Sequence, residues 1–202
     1  MSQASLRVEI ISSLSEIGES DWDSCACPEA LGGRALDPFT THRFLKALED
    51  SGSVGSGTGW EPYYLTAYQD DMLIGCAPMY LKLHSQGEYI FDHNWAHAYQ
   101  QAGGRYYPKL QLAVPFTPAT GRRFLVRPEH RTLATSTLIQ AIKQFAQTNK
   151  LSSAHVTFCT AKEAEQGAEE GLLHRVTQQF HWYNKNYPDF EAFLVDLSSR
   201  KR

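Results

Sequence analysis

The chain has 202 residues, 42% of them hydrophobic, which is enough for one domain with a core of its own and too little for two. Nineteen Lys and Arg residues against 22 Asp and Glu residues give a net charge of −3. This balance excludes a histone-like or polybasic nucleic-acid-binding protein, so any anionic partner must be held by a local patch.

The sequence predicts a cytoplasmic protein that makes no membrane contact. The first residues, MSQASLR, show no basic stretch followed by an apolar one, and nowhere do 18 apolar residues occur in succession. The cysteines include no C-x-x-C pair, which favours free structural thiols over a disulfide framework or a zinc site. They are Cys25, Cys27, Cys76 and Cys159.

The first part of the chain predicts a strand at Leu6–Ile11 and a helix at residues 15–22. Asp37 as N-cap and Pro38 at the first helical position predict a second helix, which ends near residue 52. Four glycines follow within residues 52–59. Because they come after a helix and before a strand, we interpret this segment as a surface loop and not as a phosphate-binding loop.

The middle of the chain predicts mainly strands. Residues 63–68 and 72–83 indicate a β-hairpin. Residues 91–99 are polar and aromatic without a regular period, and we expect a loop with a short helical turn there. Residues 109–114 alternate as a strand does, and residues 124–126 predict a second, short extended segment.

A long amphipathic helix is predicted from Arg131 to about residue 149, since Ala134, Leu138 and Ile142 fall on one face. The elements expected after it are a strand at residues 155–158, a helix at 161–170, a strand with Val176, Phe180 and Trp182 on one face, and a helix from Asp189. The pattern predicts one domain of mixed α/β class.

Positive charge is concentrated in residues 98–131, which hold six basic residues and one acidic residue. The segment ends where a strand delivers the chain into the helix at Arg131. A helix start presents unpaired backbone N–H groups and the positive end of the helix dipole, which suits a pyrophosphate. The alternative is that these charges are solvated or paired with acidic residues elsewhere. The basic residues are Arg105, Lys109, Arg122, Arg123, Arg127 and Arg131.

Residues 126–136 are similar to the signature of the GCN5-related N-acetyltransferase (GNAT) superfamily. There, a strand and an Arg/Gln-x-x-Gly-x-Gly/Ala loop lead into a helix that binds the pyrophosphate of acyl-coenzyme A. The resemblance implies a GNAT-like, mostly antiparallel central sheet flanked by helices, with Arg131, Ala134 and Ser136 at the acyl-coenzyme A site. Ala134 stands where the superfamily prefers Gly, and its Cβ restricts the close approach of phosphate oxygens.

A longer set of motifs resembles the bacterial predicted N-acyltransferases related to the FemAB peptidoglycan peptidyltransferases. Members of that family have two acetyltransferase-like halves. The resemblance implies that residues 1–187 form the N-terminal, GNAT-like half, and that residues 188–202 begin a helix leading into a second half. The motifs lie at residues 37–39, 42–45, 49–55, 58–60, 78–82, 87–89, 91–99, 106–110, 115–123 and 180–184.

Phenols, ammonium groups and paired arginines point to candidate site residues. Tyr107 is a candidate catalytic residue, because a phenol can donate a proton to a departing thiolate, although no step is assigned to it. His181, on the polar face of its predicted strand, is a candidate general base. For each, the alternative is a structural side chain with its polar atoms satisfied. Arg122 and Arg123 extend the predicted cofactor site because arginine binds phosphate bidentately.

Asp92, Trp95 and Lys109 are candidate substrate-binding residues that would line a cleft. His93 and His97 have the i, i+4 spacing of zinc ligands, but no third and fourth ligand accompany them, so no metal site is predicted.

The resemblance implies an N-acyltransferase that transfers an acyl or aminoacyl group to an amine, connected with peptidoglycan. Such a reaction needs positioning, deprotonation of the amine and stabilisation of an oxyanion, but no metal. Acyl-coenzyme A is the expected donor, and aminoacyl-tRNA is disfavoured by the acidic charge. The alternative is a non-catalytic GNAT-like half that serves as a scaffold or binds a peptide or cell-wall precursor. An uncovered apolar surface would also favour homo-oligomers.

Overall fold

The structure is a computed structural model, and it describes residues 5–28, 37–90 and 92–197. Phe91, which belongs to the predicted aromatic loop, and residues 198–202 lie outside the described residues. The helices are α1 (Glu19–Ala26), α2 (His42–Asp50), α3 (His93–Gln101), α4 (Arg131–Thr148), α5 (Ala161–Glu169) and α6 (Phe190–Asp196). The strands are β1 (Leu6–Ile11), β2 (Trp60–Pro62), β3 (Tyr64–Gln69), β4 (Met72–Ala77), β5 (Met79–Lys82), β6 (Lys109–Leu112), β7 (Leu125–Val126) and β8 (Ala154–Val156).

The strands form two four-stranded sheets with the orders β1-β3-β4-β7 and β2-β5-β6-β8. All pairings are antiparallel except that of β6 with β8. One long hairpin is shared by the two sheets. Its first arm consists of β2 and β3, which only Tyr63 separates, and its second arm consists of β4 and β5, which only Pro78 separates. Proline lacks the N–H that a strand interior needs, and here it marks the point where the hairpin passes from one sheet to the other. The predicted hairpin and the mixed α/β class are confirmed.

Hydrophobic side chains cover both faces of the hairpin. On one face, Trp22 of α1 and Leu45 of α2 pack with Tyr64 and Tyr80, and all four are fully or almost fully buried. The Trp22 indole N–H donates to the carbonyl of Thr40 at 2.9 Å. On the other face α4 buries Ala134, Leu138 and Ile142 of the predicted apolar stripe, together with Ile139, which the prediction did not include. The long helix is therefore confirmed, together with its core face.

The N-terminal helices differ in detail from the prediction. Residues 15–22 divide into a 3-10 turn at Leu14–Glu16 and the helix α1, with Gly18 between them as the N-cap of α1. Asp37 does cap a helical turn, accepting from the Phe39 N–H at 3.1 Å, but that turn is a short 3-10 segment. Thr41 then caps α2 separately. Each break coincides with a residue in an extended conformation, which ends one turn and starts the next.

The prediction of a loop with a short helical turn at residues 91–99 is only partly correct, since the helical part is the whole helix α3, His93–Gln101. Ala96 is the buried residue of this helix, while most of its other residues are exposed. A helix that buries so little of its surface shows little amphipathic period, which is why the sequence pattern did not indicate it.

The predicted strand around Val176 and Trp182 is wrong. Residues 172–187 form no helix or strand, and Val176, Phe180 and Trp182 are all exposed. The alternating pattern is present in the sequence, but a strand needs a paired neighbour. No strand of the described part of the chain pairs with this segment. The final helix was predicted correctly, and Asp189 caps α6 by accepting from the Ala192 N–H at 2.8 Å.

Gly75 of β4 is required by the close approach of α4. A Cβ on Gly75 would lie 3.1 Å from the Cβ of Ala134 and 3.1 Å from a methyl group of Val126. We therefore expect Gly75→Ala to lower the free energy of unfolding by about 1–3 kcal/mol. Gly167→Ala, within α5, is the matched control. Its Cβ would lie 3.4 Å from Leu172, which is an ordinary van der Waals distance, and alanine favours a helix. Urea unfolding of both variants tests this, and equal destabilisation would contradict it.

Within the described ranges, none of the helices has both the length and the apolar character that crossing a bilayer requires.

Candidate functional site

The second sheet contains a buried ion cluster centred on Lys109. This residue begins β6, opposite Lys82 at the end of β5. Its Nζ lies 2.8 Å from Oε2 of Glu88 and 2.7 Å from Oδ2 of Asp92, and all three side chains are 0% exposed. Glu88 comes from the loop between β5 and α3, and Asp92 precedes the first residue of α3. Charges this deeply buried are rare unless they are paired, so the cluster is a candidate functional site.

Hydroxyl groups extend this cluster toward the surface. Lys109 Nζ donates to Ser85 Oγ at 3.1 Å, and Ser85 Oγ lies 2.6 Å from Tyr107 Oη. Tyr106 Oη donates to Asp92 Oδ2 at 2.8 Å. Tyr106 is buried, whereas Tyr107 is half-buried and is the most accessible of these groups. We call the six residues Lys109, Glu88, Asp92, Ser85, Tyr106 and Tyr107 the Lys109 network.

The two carboxylates of the network have different pKa directions. Burial alone would raise the pKa of Asp92, but hydrogen bonds from Lys109 and Tyr106 outweigh it and hold this pKa at about 2. The pKa of Glu88 is raised, since burial outweighs the attraction of Lys109. Two buried carboxyls whose environments drive their pKa values apart are typical of functional sites.

Lys82 and His155 lie beside the network. Lys82 is fully buried, its Nζ stands 3.5 Å from the ring centre of Trp60, and it donates to the Gln86 carbonyl at 3.3 Å. Burial, together with the charge of Lys109, lowers the pKa of Lys82 to about 7. The His155 ring packs edge-on against Tyr106, and burial followed by the Lys109 charge lowers its pKa to about 4. Lys82 and His155, which lie at the edge of the Lys109 network, therefore both bind a proton more weakly than usual.

The structure brings together three of the residues proposed from the sequence, namely Asp92, Tyr107 and Lys109. Trp95 is separate: it lies on α3 with 61% of its surface exposed, and the Arg175 guanidinium stands 5.3 Å from its ring centre. His181 is exposed, and its ring contacts Gln179 and Tyr183. It lies on the unpaired segment described above, and no described contact links it to the Lys109 network.

The basic stretch at residues 98–131 does not form a single patch. Lys109 lies in the network, and Arg127 Nε donates to the Leu73 carbonyl at 2.7 Å. Arg122 donates to the Ala26 carbonyl at 2.6 Å. Arg123 is 1% exposed, and it donates to the carbonyls of Thr157, Arg122 and Ala119. Because its guanidinium is buried among carbonyls, Arg123 stabilises the fold here and presents no group to a phosphate in solvent.

The predicted phosphate site at the start of α4 has only some of the groups expected to bind phosphate. Arg131 is exposed, and the residue before it gives no side-chain hydrogen bond to the first turn. Ser136 Oγ donates to Glu170 Oε1 at 2.5 Å. Ala134 is fully buried, and its methyl group faces Gly75 of β4. The alanine at this position is therefore explained by packing against the sheet.

The two predicted sites lie at opposite ends of α4. Just before α4, the Arg127 N–H donates to the Ile74 carbonyl of β4. Just after α4, the Ser152 N–H donates to the Pro108 carbonyl beside Lys109. A helix of 18 residues rises about 27 Å. Arg131 therefore lies at the start of α4, and the Lys109 network lies beside the segment that follows its end.

Sequence reasoning missed Ser85, Glu88, Tyr106, Lys82 and His155. Their contacts with Lys109 and with one another join segments that are far apart in sequence, and Lys109 itself pairs with Glu88 across 21 positions. One signal was available: Glu88 is the single acid between Asp71 and Asp92, and it lies in one of the family motifs.

A separate cleft of about 650 Å³ opens between β1, α2 and β2 and is lined by Glu16, Glu49 and Glu61. Each of these carboxylates already accepts a backbone N–H. The donors belong to Ser12 and Ser13 for Glu16, to Leu14 for Glu49 and to Gly57 for Glu61. These acids therefore tie the local chain together. No cluster of three or more His, Cys, Asp or Glu side chains able to hold a metal occurs in the described ranges.

Comparison with known proteins places the chain in a family. Residues 13–202 match the model of the FemAB-like family, described as peptidoglycan biosynthesis/recognition. Among solved structures, similar chains include the aminoglycoside N-acetyltransferase AAC(6')-Iy in complex with CoA, with 14% identity and a TM-score of 0.46 over 92% of this chain and 98% of that one. An aminoglycoside acetyltransferase from an uncultured soil metagenomic sample, in complex with trehalose, has 12% identity and a TM-score of 0.46 over 89% and 95%.

An acetyltransferase of Trypanosoma brucei has 13% identity and a TM-score of 0.44 over 89% of this chain and 99% of that one. No curated protein sequence matches the chain. The motif resemblance is confirmed by the family model, which extends over almost the whole chain. This chain belongs to the FemAB-like family.

Proposed function

We propose that the protein transfers an acyl or aminoacyl group to a primary amine of a peptidoglycan precursor, and that the Lys109 network is where the transfer occurs. Membership of the FemAB-like family supports the class of reaction. The observation that supports the location is the chain of contacts from buried Asp92 through Lys109 and Ser85 to the half-buried phenol of Tyr107. Buried polar networks that end at an accessible titratable group are typical of catalytic sites.

In the proposed reaction the amine nitrogen attacks the carbonyl carbon of the donor and forms the new C–N bond. The bond from that carbon to the leaving sulfur or oxygen then breaks. Tyr107 donates its phenolic proton to the departing group, and the attacking nitrogen passes one proton to the resulting phenolate, which restores the phenol. Ser85 lies within hydrogen-bonding distance of the phenol, and Lys109 donates to Ser85, so these contacts hold the phenol in position.

Acyl-coenzyme A is the proposed donor, with aminoacyl-tRNA as the second choice. The exposed Arg131 and the first turn of α4 offer charge and backbone N–H groups for its phosphates. A donor held there must extend along α4 for its acyl group to reach Tyr107. We expect Arg131→Ala to weaken acetyl-coenzyme A binding about tenfold in calorimetric titration. The exposed Arg105→Ala is the control, and an unchanged affinity in Arg131→Ala would remove this donor site.

We expect Tyr107→Phe to lower kcat/KM about 100-fold, because the variant keeps the ring and loses the proton donor. The measurement is thiol release from acyl-coenzyme A with a lysine-containing peptide as acceptor. Tyr89→Phe is the matched control, since Tyr89 is an exposed phenol near Glu88. If both variants retain full activity, the network is not the reaction site.

The alternative, a non-catalytic half that binds a cell-wall precursor, also has an observation in its favour. Asp92 and Lys109 are completely buried, which is typical of a structural ion cluster as well as of an active site. If a lysine-containing peptide binds to the protein while acetyl-coenzyme A neither binds nor is consumed, the binding module is the better account.

A further inference from the structure

Among the edge strands of the two described sheets, β1 is the long and unprotected one. Strand β7 has two residues, and β8 and β2 have three each, with Pro62 as the last residue of β2. Short edge strands and prolines keep a sheet from pairing with another chain. Strand β1 has six residues and no proline, and its register against β3 is regular from Leu6 to Ile11. It therefore presents a template along which a further strand can pair.

The backbone groups on the free edge of β1 follow from the hydrogen bonds on its other side. The Asp70 N–H donates to the Ser5 carbonyl at 2.8 Å, and Thr66 Oγ1 donates to the Glu9 carbonyl at 3.3 Å. The odd-numbered residues of β1 thus turn their backbone groups toward β3. Because this direction alternates along an antiparallel strand, the even-numbered residues turn theirs away from the sheet. These residues are Leu6, Val8 and Ile10.

The side chains of the same three residues form an apolar stripe. Val8 lies opposite Ala67 and Ile10 lies opposite Leu65. Residues directly opposite in an antiparallel pair share one face of the sheet, and Ala67 and Leu65 pack in the core cluster that α4 completes. Yet Leu6 is 48% exposed, and Val8 and Ile10 are each 36% exposed. Helix α4 therefore leaves the outer strand of its own sheet partly uncovered.

The charges of β1 make it complementary to a second copy of itself. Arg7 and Glu9 lie on the other face of the strand, one on each side of Val8, and form an ion pair. If two β1 strands pair antiparallel with Val8 opposite Val8, Arg7 of each copy lies opposite Glu9 of the other. Leu6 then lies opposite Ile10. Opposite charges and apolar side chains at such positions stabilise a pair of strands.

The same charges disfavour the neighbouring registers. Moving the centre of the pair by one residue places Arg7 opposite Arg7 in one direction and Glu9 opposite Glu9 in the other. Like charges directly opposite each other destabilise a sheet. A peptide of unrelated sequence would have to carry an acidic and a basic residue at the matching spacing, whereas β1 already carries both. The charge pattern therefore favours a second copy of this chain as the partner.

We propose that β1 pairs antiparallel with β1 of a second copy of this chain, about a twofold axis at Val8. The sheets β1-β3-β4-β7 of the two copies then form one continuous sheet with both α4 helices on the same face. Backbone hydrogen bonds join Val8 to Val8 and each Leu6 to an Ile10. Since each copy uses the same surface, the assembly closes as a dimer and does not grow into a fibre. The inference is independent of the proposed acyl transfer.

The test is sedimentation of the full chain across a dilution series. The paired surface is small, so the dimer should dissociate on dilution. We expect the mass to rise from that of one chain to that of two with increasing concentration, and no further. Val8→Pro removes an N–H that β3 does not use, and edge strands tolerate proline at such positions. This variant should stay monomeric with a circular dichroism spectrum like that of the wild type. A wild type that is monomeric throughout would overturn the inference.

Charge variants identify the contact. Arg7→Glu and Glu9→Arg each place like charges opposite each other, and each is expected to weaken dimerisation about tenfold or more. An equimolar mixture of these two variants should form a heterodimer, because the basic residues of one chain then face the acidic residues of the other. The double variant Arg7→Glu/Glu9→Arg should dimerise by itself. Arg43→Glu, at an exposed position of α2, makes the same change in net charge and should dimerise as the wild type does.

Two results would contradict pairing through β1. If Val8→Pro and Arg7→Glu leave a wild-type dimer intact, the copies associate through another surface. If the mixed variants form no heterodimer, Arg7 does not face Glu9 across the interface. The charge series leaves the backbone unchanged, so it decides the outcome even if Val8→Pro fails to fold.

Discussion

Replacing Lys109 by Met is expected to lower the free energy of unfolding by about 3–5 kcal/mol. Lys109 is the cation that contacts both Glu88 and Asp92, and all three side chains are 0% exposed. Methionine fills much of the same space, so the loss reports the charge and hydrogen bonds. Two carboxyls would remain in the core without their counter-ion. Urea unfolding at pH 7 measures the change through the transition midpoint.

The dependence of this loss on pH identifies its cause. In Lys109→Met the buried carboxyls have pKa values above those of the unfolded chain, which are about 4. A carboxyl with a raised folded-state pKa favours folding below the unfolded value and disfavours it as the pH rises. The deficit should therefore increase from pH 4 to pH 7, while the part that comes from Asp92 persists at pH 4 and is lost only as the pH falls toward 2. A deficit independent of pH would point to lost packing instead.

Two comparisons complete this experiment. Lys46→Met removes the surface i, i+4 pair of half-buried Lys46 with exposed Asp50, and we expect a much smaller loss than in Lys109→Met. The triple variant Lys109→Met/Glu88→Gln/Asp92→Asn removes all three charges at once and should be more stable than Lys109→Met at pH 7. If the triple variant is the less stable of the two, unpaired buried charge is not the cause of the loss.

The elements that were predicted correctly are those whose sequence pattern is produced by their own packing. Helix α4 buries one continuous stripe, so the 3.6-residue period is visible in its sequence. The β3–β4 hairpin is short-range, and its strands are separated by a two-residue turn. For such elements the local pattern and the three-dimensional contacts contain the same information.

The elements that were missed depend on contacts that a local pattern does not contain. Helix α3 is largely exposed, so residues 91–99 show no apolar period. Apolar and polar residues alternate around Val176 and Phe180 as they do in a strand. A strand also needs a sheet edge to pair with, and no edge strand of the described sheets pairs with this segment. Local alternation is necessary for a half-buried strand, but it is not sufficient.

The candidate site likewise contains residues that the sequence indicated and residues that it did not. Asp92 was identified from the family motif at residues 91–99, and Lys109 because it follows two phenols at the start of a predicted strand; both lie in the network. Glu88 belongs to a loop without any period, and its contact with Lys109 is set by how β5, β6 and the loop come together. Arg123 is a different case. Its place beside Arg122 suggested a phosphate clamp, but tertiary structure directs its guanidinium at backbone carbonyls.

Acidification from about pH 6.5 to pH 4 is expected to destabilise the wild-type protein through His155, by up to about 3 kcal/mol. Burial is the main cause of its lowered pKa of about 4, and the charges of Lys109 and Arg175 add to it while Asp92 opposes it. The unfolded chain takes up a proton near pH 6.5, but the folded protein resists it until near pH 4. The stabilisation is therefore complete above pH 6.5 and is lost as the pH falls through this window.

His155→Gln isolates this contribution. Glutamine can keep the hydrogen bond that His155 Nε2 makes with Ser153 Oγ at 2.9 Å, but it does not titrate. The difference in unfolding free energy between wild type and His155→Gln should change across pH 6.5 to 4, whereas exposed His93→Gln should follow the wild type. The loss of Asp92 stabilisation occurs at lower pH, below the ordinary aspartate pKa of 3.8 and toward 2. A parallel pH dependence in wild type and His155→Gln would mean that His155 takes up its proton equally in the folded and unfolded states, and so does not sense the buried charge of Lys109.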